Sequence, residues 1–179
     1  MERFDGVVIG AGPAGLFCAI HAAAGGRRIL VLEKNPEPGA KLLLAGTGQC
    51  NLTHEGDIRN FATRYGHHGR FVKPALMSFS NRDLITFFQK RGLEMMTEEN
   101  GKVFPVTRKS SDVLAVLLDE CRKQGVTLRC SEPVQEISRT PDTFTITTGK
   151  MTYQAGIAVI TTGGASYPQC GTTGDGYRF

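Results

Sequence analysis

The protein is a chain of 179 residues, 40% hydrophobic and 21% charged, which fits a globular domain of ordinary size with room for a small subdomain. Its net charge of +4 is not gathered into runs: basic residues adjoin only in pairs such as Arg27-Arg28 and Arg108-Lys109, which argues against nucleic acid as a partner. Cys18, Cys50, Cys121, Cys130 and Cys170 are odd in number and form no CxxC pair, which argues against a disulfide framework or a zinc or other metal site.

Residues 4–9 (FDGVVI) form a short apolar run suited to a buried parallel strand, too short for a membrane span. No basic region precedes it, so it reads as a strand rather than a leader, and the cytoplasm is the expected location. Glycines punctuate the chain from Gly10 to Gly15, and 14–24 is Ala-rich and helical up to Gly25-Gly26. A second apolar strand follows at 28–33 (RILVLE). Together these segments make a βαβ unit.

Residues 34–80 show no long periodic segment, and part of this run (AGTGQCNLTHEG) is Gly-rich, which suggests a functional loop. Ser80 to Asp83 resembles a capping sequence ahead of an amphipathic helix that turns Leu84, Ile85, Phe87 and Phe88 inward and ends at Gly92. Asn100-Gly101 predicts a hairpin turn between LEMMTE and KVFPV. A second amphipathic helix spans 111–124, with Val113, Leu114, Leu117, Leu118 and Cys121 on one stripe. VTLRC (126–130) should rejoin the parallel sheet. A three-strand meander near 133–139, 143–148 and 151–154 is expected next, then a separate buried strand at 157–161.

The strongest chemical signal is Gly10-Ala11-Gly12-Pro13-Ala14-Gly15 between a strand and a helix, with Glu33 ending the next strand. Gly10 permits the tight turn, Gly12 lets a pyrophosphate approach the backbone, and Gly15 lets the helix pack closely. Amide hydrogens at the helix start then meet the diphosphate charge. Glu33 suits the adenosine ribose hydroxyls and disfavours a 2′-phosphate. This clamp alone leaves FAD and NAD open. The inserted meander, and a second glycine turn at Thr162-Gly163-Gly164, favour FAD. The fold class expected is therefore α/β: a Rossmann-like FAD-binding three-layer domain, with a parallel sheet, an antiparallel β-meander over one face, and helices on the other.

GAGPAG with Glu33, the meander, and VITTGGASYP resemble the two-dinucleotide-binding-domain flavoproteins related to glutathione reductase. KLLLAGTGQCNLT, GKVFPVTRKSSDVL and TTGGASYPQCGTTGDGYRF are similar, more narrowly, to the bacterial BaiN-type, aminoacetone oxidase-like NAD(P)/FAD-dependent oxidoreductases. That resemblance implies FAD as cofactor, NAD(P)H as a possible electron donor, and a small-molecule substrate, with residues 1–179 forming the N-terminal part of a chain roughly double this length. An inserted substrate domain and a closing C-terminal segment would follow.

The resemblance also implies contacts. Gly10, Gly12, Pro13, Ala14 and Gly15 would meet the pyrophosphate, and Glu33 with Lys34 the adenosine ribose. Lys41 and Gly48-Gln49-Cys50-Asn51 would line the flavin end, Val134 the adenine edge, and Thr162, Gly163 and Gly164 would close over the cofactor. Ala40 and Gln49 stand where the family often has arginine.

Cys50 invites a redox role, but Glu55 stands where a partner cysteine would be needed, which excludes a dithiol mechanism. A flavin-facing thiol and a structural cysteine both remain open for it. His54 is near the Gly-rich loop, His67-His68 read as solvated, and Tyr167 as packing. No catalytic residue is assigned. The alternatives are a non-catalytic FAD- or ADP-binding module and an NAD-dependent dehydrogenase domain.

Overall fold

β1 (Glu2–Ile9) forms because a run of apolar residues alternates with few interruptions, and its last four residues are wholly buried. It pairs in parallel with β2 (Ile29–Leu32), every residue of which is buried. The helix between them, α1 (Pro13–Ala22), starts at Gly12 with proline in its first turn and packs on β1 and β2 through Leu16, Ala19 and Ile20. This computed structural model describes residues 1–166, 168 and 173–179; the expectations for Tyr167 and Cys170 fall outside them.

The chain divides into two compact units, Met1–Leu43 with Leu117–Phe179, and Leu44–Val116. The first holds a six-stranded sheet in the order β6-β2-β1-β9-β8-β7, where β6 is Thr127–Arg129, β7 Val134–Arg139, β8 Phe144–Thr148 and β9 Thr152–Ile160. β6, β2, β1 and β9 run parallel, and β7 and β8 extend the sheet antiparallel. Phe4, Val7, Ile9, Leu30 and Leu32 share one core cluster with Ile146, Tyr153 and Ala155 of the meander. Each Val, Leu, Ile or Phe among them contributes roughly 1.5–3 kcal/mol on burial.

The expected α/β class with an inserted meander is therefore what the chain adopts, but β7 and β8 continue the sheet at its edge instead of taking the expected place over one face. Two further details differ. The third meander strand and the later strand are one uninterrupted β9, because nothing between Thr152 and Ile160 forces a turn, and Gly156 sits in the strand with room for a Cβ. Its second half is also not buried: Ile157 is 61% exposed and Ile160 47%.

The second unit carries a small antiparallel sheet in the order β3-β5-β4, from Thr53–His54, Lys102–Pro105 and Met95–Thr97. Asn100-Gly101 makes its hairpin turn, with Gly101 at φ +82°. The segment 34–80, expected to lack periodic structure, holds α2 (Ala40–Leu44), a 3-10 stretch Ile58–His68 and α3 (Gly69–Ser78). Gly66 kinks the 3-10 stretch, whereas Gly69 and Pro74 break the periodicity in sequence while sitting in helical backbone. α4 (Asn81–Gln89) begins at Ser80 with a full capping box: Ser80 accepts from the Asp83 amide, and Asp83 accepts from the Ser80 amide. Phe87 and Phe88 are buried, as the pattern requires. α5 (Ser110–Lys123) buries Val113, Leu114, Leu117 and Cys121.

Candidate functional site

The parallel strands of the first unit end at a cleft of about 360 Å³, within the size range of small-molecule sites. The glycine turn forms one wall. Gly10 has φ +106°, and a Cβ there would lie 2.7 Å from the Thr161 carbonyl oxygen, so only glycine fits. A Cβ on Gly15 would fall 1.9 Å from the Gly10 oxygen, which is why the helix can sit so close to the turn. Gly12 is different. A Cβ there meets nothing within 4 Å, so its lack of a side chain leaves open space in front of the first helical amides. The Gly10 bend is further held by Thr161, whose single hydroxyl hydrogen is shared between the Ile9 and Gly10 carbonyl oxygens, each 2.9 Å away.

Glu33 lines the cleft yet is only 7% exposed. One carboxylate oxygen accepts from the Ala11 amide at 2.8 Å, inside the glycine turn. The other accepts from the Asn35 amide and side chain at 2.9 and 2.7 Å. The acid thus locks the turn to the end of β2 while keeping lone pairs for a further donor. Lys34 also lines the cleft, but its ammonium donates to Thr173 and Asp175 at 2.6 and 2.7 Å. Lys34 holds the Asp175 carboxyl below its ordinary pKa. Asp175 and Glu132 have no motif to announce them, because their partners are distant in sequence, and Asn35 bonds locally to Glu33 outside the glycine motif.

Glu132 is 4% exposed and lines the cleft beside Val134. It accepts from the Thr148 hydroxyl at 2.9 Å and from the Tyr153 hydroxyl. Tyr153 also accepts from Arg129 at 2.7 Å, and Arg129 reaches Glu2 at 2.8 Å. Burial, then the bond to Glu132, pushes the Tyr153 phenol up to about 12. This chain of charges stiffens the meander wall of the cleft.

Of the residues expected at a cofactor, Gly10, Gly12, Pro13, Ala14, Glu33, Lys34, Lys41, Val134, Thr162 and Gly163 line this one cleft. Gly15 and Gly164 stand behind it: the first packs on the turn, the second lies near Tyr177. Gly48, Gln49, Cys50 and Asn51 belong to the second unit. There Thr47 and Cys50 adopt positive φ, an uncommon backbone for such residues. Gln49 accepts from Arg108 at 3.2 Å, and Arg108 pairs with Glu98 at 2.7 Å. Cys50 is 3% exposed, and burial pushes its thiol pKa up, which fits a structural cysteine. His54 is stacked on the hairpin turn, its ring nitrogens 2.7 and 2.9 Å from the Glu55 and Asn100 carbonyl oxygens. Among the described residues no helix is long and apolar enough to cross a membrane.

Residues 4–179 match the HI0933-like protein Rossmann domain. The chain belongs to that family. As an HI0933-like domain it is 35% identical, over 99% of its length, to a ribosomal RNA dihydrouridine synthase of Escherichia coli (strain K12), and spans 44% of that protein. It is 28% identical over 95% of its length to a 3-dehydro-bile acid delta(4,6)-reductase of Clostridium scindens, of which it spans 41%. Among solved structures, the HI0933-like domain superposes on a 3-ketosteroid-delta4-(5alpha)-dehydrogenase of Rhodococcus jostii RHA1 with a TM-score of 0.67. That match covers 93% of this chain and 47% of the other, at 17% identity, and speaks to the fold alone.

Proposed function

We propose that this chain is the FAD-binding part of a flavin-dependent oxidoreductase that reduces a carbon–carbon double bond conjugated to a carbonyl. The observation that carries the reading is Gly12: an open backbone position at a helix start, in a cleft whose other wall holds a buried carboxylate. That donor set fits FAD. The amides after Gly12 suit the diphosphate, the acceptor site left on Glu33 suits a ribose hydroxyl, and Val134 and Phe179 offer apolar surface to a flat ring. FAD, when bound, supplies the two-electron relay by which hydride from NAD(P)H reaches one carbon of the double bond while a proton reaches the other. The chain's own residues orient and enclose. Thr161 fixes the Gly10 bend, and the Glu33–Ala11 bond keeps the pyrophosphate loop preorganised.

The substrate class is inferred from the relatives' names, which share reduction of such a double bond. The match of nearly all of this chain to part of the E. coli relative favours a uracil base in RNA. The C. scindens relative favours, as a second reading, a small enone or related carbonyl compound, closer to the BaiN-type likeness of the sequence. Free thiols whose pKa is raised by burial suit a reducing, cytoplasmic setting.

The test is purification of the full protein that contains this chain. It should be yellow, with absorbance near ~450 nm, and should bleach on anaerobic addition of NADPH or NADH. A colourless preparation that takes up no added FAD refutes the reading.

A further inference from the structure

The second unit concentrates the protein's positive charge on one stretch. From Arg59 to Arg82 the chain holds Arg59, Arg64, Arg70, Lys73 and Arg82, with His67 and His68 among them, and no Asp or Glu. These five cations exceed the net charge of +4, so the rest of the chain carries a slight acidic excess. All five are exposed. Arg59 pairs with Asp57, and Arg82 also acts on that carboxylate. The side chains of Arg64, Arg70 and Lys73 have no salt bridge or hydrogen bond among the described residues.

Apolar rings are exposed within the same stretch. Phe71 is 87% exposed and Tyr65 48%. α3 turns Val72 and Leu76 inward and leaves Arg70, Phe71, Lys73 and Met77 outward. The arrangement is also held in place. A Cβ on Gly69, at the start of α3, would lie 2.3 Å from the Ala62 oxygen, so α3 and the 3-10 stretch before it are in direct backbone contact. Exposed phenylalanine among unpaired cations is costly on a surface that meets only water. It suits a flexible polyanion that also offers flat rings, because phosphates release counterions to the cations and an unstacked base covers the aromatic.

We propose that this face of the second unit docks single-stranded RNA, with phosphates on Arg64, Arg70 and Lys73 and a base stacked on Phe71. The proposal rests on the RNA reading of the substrate and names the surface that would hold it.

The test is fluorescence anisotropy of the full protein with a labelled oligouridylate. Affinity should fall steeply with added salt. Combined Arg64→Glu, Arg70→Glu and Lys73→Glu should weaken binding at least about tenfold. Phe71→Ala alone should weaken it by about tenfold. A control pair on the first unit, Arg27→Glu with Lys150→Glu, should stay within about twofold of the parent. Should the triple variant fail to fold by circular dichroism, the three single reversals carry the test, each expected at about threefold.

Equal affinity of the triple variant and the control overturns the proposal. So does tighter binding to phosphatidylglycerol vesicles than to RNA. Flavin absorbance separates the two readings. A colourless protein whose RNA affinity still depends on these cations refutes the redox assignment and leaves the surface. A yellow protein whose RNA affinity ignores them refutes the surface alone.

Discussion

Gly12 and Gly15 are both glycines of one motif, yet the space around them predicts opposite outcomes. Gly12→Val adds a side chain where nothing lies within 4 Å, so the fold should survive while FAD affinity drops by at least about tenfold, read by flavin titration. Gly15→Ala forces a methyl to 1.9 Å from the Gly10 oxygen and should lower thermal stability by several kcal/mol before any ligand is added. Similar melting temperatures for the two variants would contradict this division. Glu33→Gln should also destabilise, by about 1–3 kcal/mol in a denaturant titration, because an amide NH2 must then face the Ala11 or Asn35 donors. The spacing of glycines and acid made this turn legible from sequence, since all of its parts lie within a local βαβ unit. Asn35 and Asp175 were not legible. Asp175 meets Lys34 from 141 positions away, and no periodic or motif signal spans that distance.

Among the elements, α4 was the most readable, because its start signal and its core stripe are both local. Ser80→Ala removes the acceptor for the Asp83 amide and should cost about 1 kcal/mol, seen as a fall of a few degrees in melting temperature. No change would mean that tertiary packing alone sets the helix start. The 58–78 region shows no periodicity in sequence because Gly66, with φ 54° and ψ −132°, kinks it between two helical pieces, and Pro74 puts breaker chemistry inside α3. Its cations are scattered in sequence for a related reason. Helical turns bring Arg70 and Lys73 to one side, whereas a search for adjacent basic residues sees only isolated ones. β9 was divided in two for want of the opposite signal: alternation continues through Gly156, and no Pro, Asn or Asp intervenes.

For the molecule as a whole, acid should lower stability gradually below neutrality. Asp57, Asp83, Glu98, Asp119 and Asp175 all have depressed pKa values, led by bonds to Arg59, Ser80, Arg108, Lys123 and Lys34 respectively. A depressed carboxylate contributes stability above its unfolded pKa and loses it as pH falls through its folded value. Melting temperature should therefore hold near neutrality and decline from about pH 4.5 toward the Asp57 value of about 2. A flat profile to pH 2 would show that these pairs contribute nothing. Asp57 and Asp83 are exposed and the other three half-buried, so the decline should be shallow and should flatten further in salt.

The uninterrupted β9 makes one rigid rod of two tasks: its first residues anchor the meander, and its last deliver Thr161 to the Gly10 bend. Side chains alternate faces along such a rod, so a single residue inserted near Gly156 would invert the parity of everything downstream. The Thr161 hydroxyl would then point away from Ile9 and Gly10, and the bend would lose its tether while the meander kept its register.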